Sequence, residues 1–285
     1  MTAALLLGGC EKVLEVDFDD VTPQVVVMSS VHPDTTVNVR LTYSRFILDD
    51  SPFRTVDDAV LSLEVNGVDV HAAQSCNSGD YVLDYRPQEG DRLKLRVKVP
   101  GYDEVTATTE VPRAAVVTNV RGTALASGDG ENRYSVRFTL DDPAGEQNYY
   151  FVRLYKKSFY YSYYQYFNCN DYMLTDGVDV MTMLEGDFDG QSSSLLAFPD
   201  DNINGTSHEV ELTMTAEVPL DSFYVEVTSM SRDRYLYELS AKLYDNGDTF
   251  DELFSEPVQI HCNVDGGIGI FAACTRKLFP ITTAK

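Results

Sequence analysis

The sequence contains no tryptophan and only four histidines, and it has about half as many basic as acidic residues: 22 Lys and Arg against 45 Asp and Glu. The formal net charge is −23 at pH 7. A surface this acidic repels phosphate backbones, and no Lys/Arg cluster offsets the repulsion locally, so we expect no nucleic-acid binding. The same charge disfavours attachment to an anionic membrane through a basic patch.

Sequence motifs for common chemistry are also missing. The chain has no CxxC pair and no GxSxG motif, and its histidines lie far apart, so the sequence gives no reason to propose a zinc site or a nucleophilic enzyme. The segment Gly266–Gly269 lacks the spacing of nucleotide-binding loops and favours a turn that only glycine permits. We therefore predict a protein that is not an enzyme and needs no cofactor.

One acidic segment resembles the start of a calcium loop. Residues 187–190 have the sequence DFDG, but an EF-hand loop also needs a glutamate at its twelfth position, which is Phe198 here. A solvated acidic loop is the favoured interpretation. The alternative is a calcium site at Asp187 and Asp189.

The first ten residues, MTAALLLGGC, are apolar but far shorter than the ~20 residues that cross a bilayer. They resemble the end of a secretory signal, and LGGC fits the bacterial lipobox, in which the cysteine is acylated. Acyl chains contribute ~0.8 kcal/mol per buried CH₂, so several chains anchor a protein almost permanently. We predict a signal-peptide remnant over residues 1–10, lipidation at Cys10 and an acidic tether over residues 11–22. The alternative is an ordinary buried thiol at Cys10.

Four further cysteines remain if Cys10 carries lipid. An exported chain meets an oxidising compartment, where four cysteines can form two disulfides with three connectivities. The favoured pair is Cys262–Cys274, which are close in sequence, and free thiols are the alternative. The other two are Cys76 and Cys169.

Apolar and polar residues alternate from Pro23 onward, as in half-buried strands. The pattern is clearest over residues 92–99, where Arg or Lys alternates with Leu or Val. Asn66-Gly67 joins two such runs and predicts a tight hairpin, because this pair tolerates positive φ. About seven short strands in some ninety residues predict an immunoglobulin-like β-sandwich over residues 23–112, without the Cys…Trp…Cys spacing of antibody domains.

Residues 113–285 predict a second β-rich domain, either a sandwich or barrel-like. Strands are expected over residues 116–120, 134–140, 149–155, 208–218 and 222–230. One segment departs from the strand pattern, because Leu236, Leu239 and Leu243 have helical spacing and predict a helix near residues 232–244. The predicted fold class is all-β, mainly β with a minor helix.

Seven tyrosines fall within residues 155–172. A strand with aromatic residues on both faces cannot bury all of them in one core. Tyrosine gives a large contact area at low entropic cost, which makes it common in binding surfaces. One interpretation is a hairpin arm that packs on both faces, and the other is a surface that binds a ligand or partner. The residues of that surface would be Tyr160, Tyr161, Tyr163, Tyr164 and Tyr166.

The C-terminal segment 254–271, FSEPVQIHCNVDGGIGIF, resembles the closing signature of a family of Bacteroidetes outer-membrane lipoproteins known as domain of unknown function 4249. That signature has Glu-Pro, a short strand, Ser-Asn-Ile or Ser-Asn-Val, a charged residue and Gly-Gly-x-Gly-x-Phe. Weaker matches are Val111-Pro112, Asp142 followed by Asn148-Tyr149-Tyr150, and Tyr235-Leu236-Tyr237. Cys262 replaces the usual serine, which supports a local Cys262–Cys274 disulfide.

The resemblance implies a lipid anchor in the outer membrane, at the cell surface or on the periplasmic face. It also implies a TonB-dependent outer-membrane receptor as partner and an immunoglobulin-like domain before a second β domain. It implies no reaction. The function that we expect is a binding or accessory role in TonB-dependent nutrient uptake, with an unknown ligand. The alternatives are a structural or adhesive cell-surface sandwich and, less favoured, a hydrolase built from distant carboxylates.

Overall fold

The computed structural model describes residues 22–46, 49–70, 74–126, 132–157, 162–175, 192–245 and 259–283. Within these ranges the chain is mainly β, with three open sheets and two α-helices, one of them longer, so the predicted fold class is confirmed. None of the helices in this part of the chain is long and apolar enough to cross a membrane.

The elements follow one another in this order: β1 (Val25–Val31), β2 (Val37–Tyr43), β3 (Val60–Val65), β4 (Val68–Val70), β5 (Gln74–Asn77), β6 (Asp80–Leu83), β7 (Arg92–Lys98), β8 (Val105–Glu110), β9 (Val116–Leu125), β10 (Arg133–Asp141), β11 (Tyr149–Lys156), β12 (Tyr163–Gln165), β13 (Asn168–Cys169), α1 (Tyr172–Thr175), β14 (Leu196–Pro199), β15 (Ser207–Thr215), a 3₁₀ turn (Leu220–Ser222), β16 (Phe223–Met230), α2 (Arg232–Asp245), β17 (Val264–Asp265), β18 (Ile268–Pro280) and β19 (Thr282–Thr283).

The first half of the chain forms a sandwich of two sheets, which we call the N-terminal sandwich. One sheet has the order β18-β1-β2-β6-β5 and the other β17-β8-β7-β3-β4. Alternate residues of these strands enter one shared core, and their neighbours face solvent, as the alternation predicts. The predicted Asn66-Gly67 hairpin is present, with φ of 52° and 83° at the two turn residues.

A second sandwich, the C-terminal sandwich, is built in the same way. Its sheets have the orders β12-β11-β16-β18, with β14 also paired to β11, and β13-β15-β10-β9-β19. Their inner faces share a separate core that includes Phe138, Phe198 and Phe223. Because the sheets are open, this domain is a sandwich and not a barrel.

The long strand β18 belongs to both sandwiches. Its first half pairs in parallel with β1, from Ile268 to Ala273, and its second half pairs antiparallel with β16, from Cys274 to Pro280. A single continuous sheet therefore runs through both sandwiches, and the C-terminal strands complete the core of the N-terminal one.

Helix α2 confirms the helix predicted near residues 232–244. It packs on the outer face of the shared sheet, where Tyr235, Leu236 and Leu239 cover a small apolar cluster around Cys274. Its start is fixed by Ser231, whose Oγ accepts hydrogen bonds from the backbone N–H groups of Arg234, at 3.3 Å, and of Ala273, at 3.2 Å. The helix is thus tied to β18 where the two sandwiches meet.

Candidate functional site

The tyrosine-rich hairpin, formed by β11 and β12, packs on both faces. Tyr163 faces the C-terminal core, with its ring centroid 6.4 Å from that of Phe223. Tyr164 lies on the opposite face, 5.7 Å from Tyr155 between ring centroids. Tyr166 follows the strand and is 46 % exposed. Tyr160 and Tyr161 of the predicted surface lie outside the described residues.

A buried carboxylate fixes the hydroxyl of Tyr164. Glu226 on β16 is 3 % exposed, and its Oε1 accepts a hydrogen bond of 3.2 Å from Tyr164. Its Oε2 lies 3.5 Å from Nη1 of Arg276 on β18, and Arg153 on β11 stacks over the Tyr164 ring at 4.7 Å. Burial raises the pKa of Glu226, and Arg276 opposes that rise. The arrangement joins four neighbouring strands, which gives these side chains a structural role.

The expected Cys262–Cys274 disulfide is absent, because Cys76, Cys169, Cys262 and Cys274 are all free thiols. Cys274 is buried under α2, with its Sγ 3.4 Å from Nδ1 of His32. Cys262 is exposed, and its Sγ lies 3.8 Å from the Val264 carbonyl oxygen. Cys274 packs inside the α2 cluster and Cys262 lies at the surface, so the predicted pair is not bonded in this structure.

The remaining predicted site residues, Cys10, Asp187 and Asp189, lie outside the described residues. In the ranges that the structure describes, no group of three or more His, Cys, Asp or Glu side chains is arranged to hold a metal ion.

A groove of about 1220 Å³ lies where the two sandwiches meet, and we call it the junction groove. Its lining residues fall within five segments: 64–67, 90–94, 108–113, 146–149 and 230–233. The first three belong to the outer face and one end of the β8-β7-β3 sheet. The other two are the loop before β11 and the start of α2. Clefts between domains are frequent ligand sites, so this groove is the candidate functional site.

Two carboxylates of the C-terminal sandwich make the loop wall of the groove rigid. Asp200 is fully buried, and its Oδ2 accepts a hydrogen bond of 2.9 Å from the Asn148 backbone N–H. The same oxygen accepts from the side-chain amides of Asn148 and Asn204, both at 3.2 Å. Gln147 donates to Asp201 at 3.0 Å. Burial raises the pKa of Asp200.

The second of these carboxylates is Asp142, which the structure places directly under the same loop. Its Oδ1 accepts a hydrogen bond of 2.7 Å from the Tyr150 hydroxyl, and its Oδ2 accepts one of 3.0 Å from the Gly205 N–H. Burial raises the pKa of Tyr150, and Asp142 adds to that rise, so its hydroxyl stays a donor. The pattern of Asp142 followed by Asn148-Tyr149-Tyr150 is thus the set of residues that holds this wall.

Asn263 holds the opposite side of the groove together. Its amide nitrogen donates to the carbonyl oxygens of Phe271, at 2.9 Å, and Thr108, at 3.1 Å, and lies 3.2 Å from Asp233 Oδ2. Its Oδ1 accepts a hydrogen bond of 3.0 Å from the Phe271 N–H. One side chain therefore joins β18, β8 and the first turn of α2.

The glycines after Asn263 permit close approach of backbones. A Cβ at Gly267 would lie 2.6 Å from the Val25 carbonyl oxygen, and one at Gly269, where φ is 119°, would overlap that of Val27. The expected glycine turn is therefore also the point where β18 enters the N-terminal sandwich beside β1. The closing motif has an architectural role at the groove.

The charge in the junction groove differs from that of the whole chain. Four basic side chains, Arg92, Lys94, Arg113 and Arg232, face four acidic ones, Glu64, Glu110, Glu146 and Asp233. Several of these are paired: Arg92 with Glu110 at 3.0 Å, Glu64 with Arg96 at 2.6 Å, and Asp233 with His261 at 2.8 Å. The groove is thus locally neutral in a chain whose net charge is −23.

Comparison with known families identifies the chain over most of its length. Residues 11–278 match the family model described as Domain of unknown function (DUF4249). The chain belongs to this family. The match spans both sandwiches and all five segments of the junction groove, and it confirms the family resemblance of the closing segment. The DUF4249 description assigns no activity.

Other comparisons with this DUF4249 chain add little. No curated protein matches it. Among solved structures, it is similar to the collagen binding domain of Erysipelothrix rhusiopathiae surface protein RspB, with 7 % identity over 90 % of this chain and 95 % of that chain. The TM-score of 0.19 is too low to support an argument about fold or function.

Sequence reasoning did not identify the groove residues as a site. Lys94 belongs to a strand in which basic and apolar residues alternate regularly, so nothing in the sequence distinguishes it from any other solvent-exposed lysine. Arg113 and Arg232 looked like residues beside a domain junction and a helix start. Asn148-Tyr149 in the family resemblance was the one signal that pointed to this wall.

Proposed function

We propose that this protein is a lipid-anchored binding protein of a Bacteroidetes outer membrane, and that it serves a TonB-dependent nutrient-uptake system without catalysing a reaction. The observation that carries the proposal is the junction groove, which combines a large volume with walls fixed by buried hydrogen bonds. Rigid walls favour binding, because less conformational entropy is lost when a ligand orders them.

The family motifs support a binding role over a catalytic one. Asp142 and Asn148 hold the loop wall, and Asn263 holds the start of α2 against β8. Most polar atoms of these residues bind within the protein. They fix the shape of a cavity whose lining also includes other side chains, as expected for a scaffold that presents a binding site.

Membrane attachment is supported by the sequence MTAALLLGGC, which ends at the lipobox cysteine Cys10. With a net charge of −23, the chain needs an anchor other than electrostatic attraction to anionic lipid. Acylation of Cys10 supplies one, and it places the groove beside the outer membrane, where transporters of the TonB-dependent class lie.

The adhesive alternative is less well supported. Donor-strand assembly needs an unpaired edge or terminal strand that a second chain can complete. Here β18 is paired on both sides, with β1 and β16, and β19 pairs with β9. The C-terminal strands are thus used within the chain itself.

Metabolic labelling with palmitate, followed by membrane fractionation, tests the anchor. The full-length chain is expected to incorporate label and to sediment with outer membranes. Cys10→Ala is expected to lose both properties, and Cys76→Ala, which removes an exposed cysteine elsewhere, is the matched control. Label that persists in Cys10→Ala would disprove lipidation at this residue and remove the basis for the proposed localisation.

A further inference from the structure

The junction groove also indicates the chemistry of its ligand, an inference that rests on the proposed binding function. We propose that the groove binds an acidic oligosaccharide. Lys94, Arg113 and Arg232 hold carboxylate groups of the sugar acid, and the wall at residues 146–148 accepts hydrogen bonds from its hydroxyl groups.

Three cations in the groove are available to a ligand. Lys94 is half-buried on the outer face of β7, and Arg113 and Arg232 are exposed after β8 and at the start of α2. Across the part of the chain that the structure describes, none of the three forms an ion pair, whereas Arg92 is taken up by Glu110 at 3.0 Å. Cations without a carboxylate partner at one site favour an anionic group, to which they donate charge-assisted hydrogen bonds.

Neighbouring groups add to this preference. The N-terminus of the 14-residue helix α2 lies in the same wall and carries a partial positive charge. Arg232 is within hydrogen-bond reach of the Tyr149 hydroxyl, where it opposes the rise in pKa that burial causes. Carboxylates far from the groove are screened beyond about 8 Å at physiological salt, so a bound anion experiences mainly the side chains that line the groove.

The loop wall supplies acceptors for hydroxyl groups. The amide nitrogens of Gln147 and Asn148 donate inward to Asp201 and Asp200, at 3.0 and 3.2 Å. Their amide oxygens, and the carboxylate of Glu146, have no donor among the described residues. A hydroxyl group can donate to such oxygens. A sugar acid carries both hydroxyl and carboxylate groups, and it therefore matches both sides of the groove.

An acidic peptide would also satisfy the cations, but the groove offers little to its main chain. Peptides are commonly held by the open edge of a strand. The edge of β8 that faces the groove is occupied, since β17 pairs with Thr106 and Ala107, and Asn263 binds the Thr108 carbonyl. Thr275 binds the carbonyl of Pro112, at 2.6 Å. Recognition through side chains, as for a saccharide, fits this surface better.

The size of the groove favours an oligomer over a single sugar. Its volume of about 1220 Å³ exceeds the range of about 300–1,000 Å³ that is usual for pockets holding one small molecule. Several sugar units can therefore occupy it, with carboxylates repeated along the chain.

Isothermal titration of the full-length protein in detergent micelles tests the proposal with four probes: oligogalacturonate, oligoalginate, a neutral galactose oligomer of equal length, and an oligoglutamate peptide. At least one of the two acidic saccharides is expected to bind at least about tenfold more tightly than the neutral oligomer and the peptide. Lys94→Gln and Arg113→Gln are each expected to weaken that binding by about threefold to tenfold.

The matched control is Lys98→Gln, which removes a lysine from the same face of β7 outside the groove, where it pairs with Glu104 at 3.3 Å. It is expected to leave binding unchanged, and thermal unfolding of each variant checks that it is folded. The proposal would be overturned by tighter binding of the peptide, by equal binding of the neutral oligomer, or by failure of both acidic saccharides to bind. It would also be overturned by affinity that Lys94→Gln does not change. None of these results alters palmitate labelling, which tests the proposed function separately.

Discussion

At the scale of single residues, the chemistry of this protein depends on which polar groups the fold buries. Glu226 and Asp200 are carboxylates buried in the protein, and burial raises the pKa of each. Cys274 is a thiol under a helix, where burial also raises its pKa. Sequence alone did not distinguish these residues from the many other acidic and cysteine positions, because burial depends on partners distant in the chain.

The free thiols predict a specific pattern of alkylation. Under native conditions, iodoacetamide should modify the exposed Cys76 and Cys262, and it should modify Cys274 only after unfolding. Cys169 should also react slowly, because burial raises its pKa to about 11 and only the thiolate is nucleophilic. Peptide mass spectrometry measures the pattern. If Cys262 and Cys274 became reactive together, and only after reduction, a disulfide would join them after all.

Glu226 predicts a dependence of stability on pH. Its pKa is raised in the folded state, so the folded protein binds this proton more tightly, and stability is lost as pH rises from the ordinary value of 4.5 through the raised one. Glu226→Gln removes that loss. Its melting temperature should therefore rise relative to that of the wild type between pH 4 and 8.

Glu211→Gln is the control, because it is expected to change the pH dependence of stability in the opposite direction. A hydrogen bond from Ser135, at 2.6 Å, and the neighbouring Arg137 lower the pKa of Glu211. The wild type therefore gains stability from this group as pH rises through the acidic range. The melting temperature of Glu211→Gln should accordingly drop below that of the wild type as pH rises. Parallel melting curves for the wild type and Glu226→Gln would contradict the account of the buried carboxylate.

At the scale of elements, local patterns predicted strands and hairpins well but did not predict their partners. The Asn66-Gly67 turn and the helix start at Ser231 follow from their own residues. Strand β6 ends at Leu83, and beyond it the Tyr85 hydroxyl donates to Asp91 at 2.8 Å, a contact with a residue outside the strand. The pairing of β1 with β18 joins segments more than 230 residues apart, and two apolar strands carry no signal that they will be neighbours.

The close approach of β18 to β1 predicts that two glycine substitutions reduce the free energy of unfolding by different amounts. Gly269→Ala combines a φ of 119° with overlap of the Val27 carbonyl oxygen, and it should reduce the free energy of unfolding by about 3–5 kcal/mol. Gly67→Ala has a φ of 83° and no atom within 4 Å of the new Cβ, so it should cost about 1–2 kcal/mol. Urea denaturation measures both. Equal losses would show that β18 does not approach β1 this closely.

At the scale of the whole molecule, the sequence predicted two β domains but not the strand that they share. Val111-Pro112 marks the end of the strands that come early in the chain. The core of the N-terminal sandwich also includes Val264, Phe271 and Ala273 from the other end. The junction groove depends on this arrangement, since its five lining segments are scattered along the sequence and meet only when β18 joins the two sandwiches.

Our central proposal is that this protein binds a ligand in its junction groove and works beside a transporter in an outer membrane. Affinity purification of the full-length chain from native outer membranes, followed by mass spectrometry, tests it most directly. We predict that a TonB-dependent barrel is recovered with the protein in near-equal amount and that Cys10→Ala abolishes this recovery. A protein that is isolated from the soluble fraction, unacylated and without a barrel, would contradict the account.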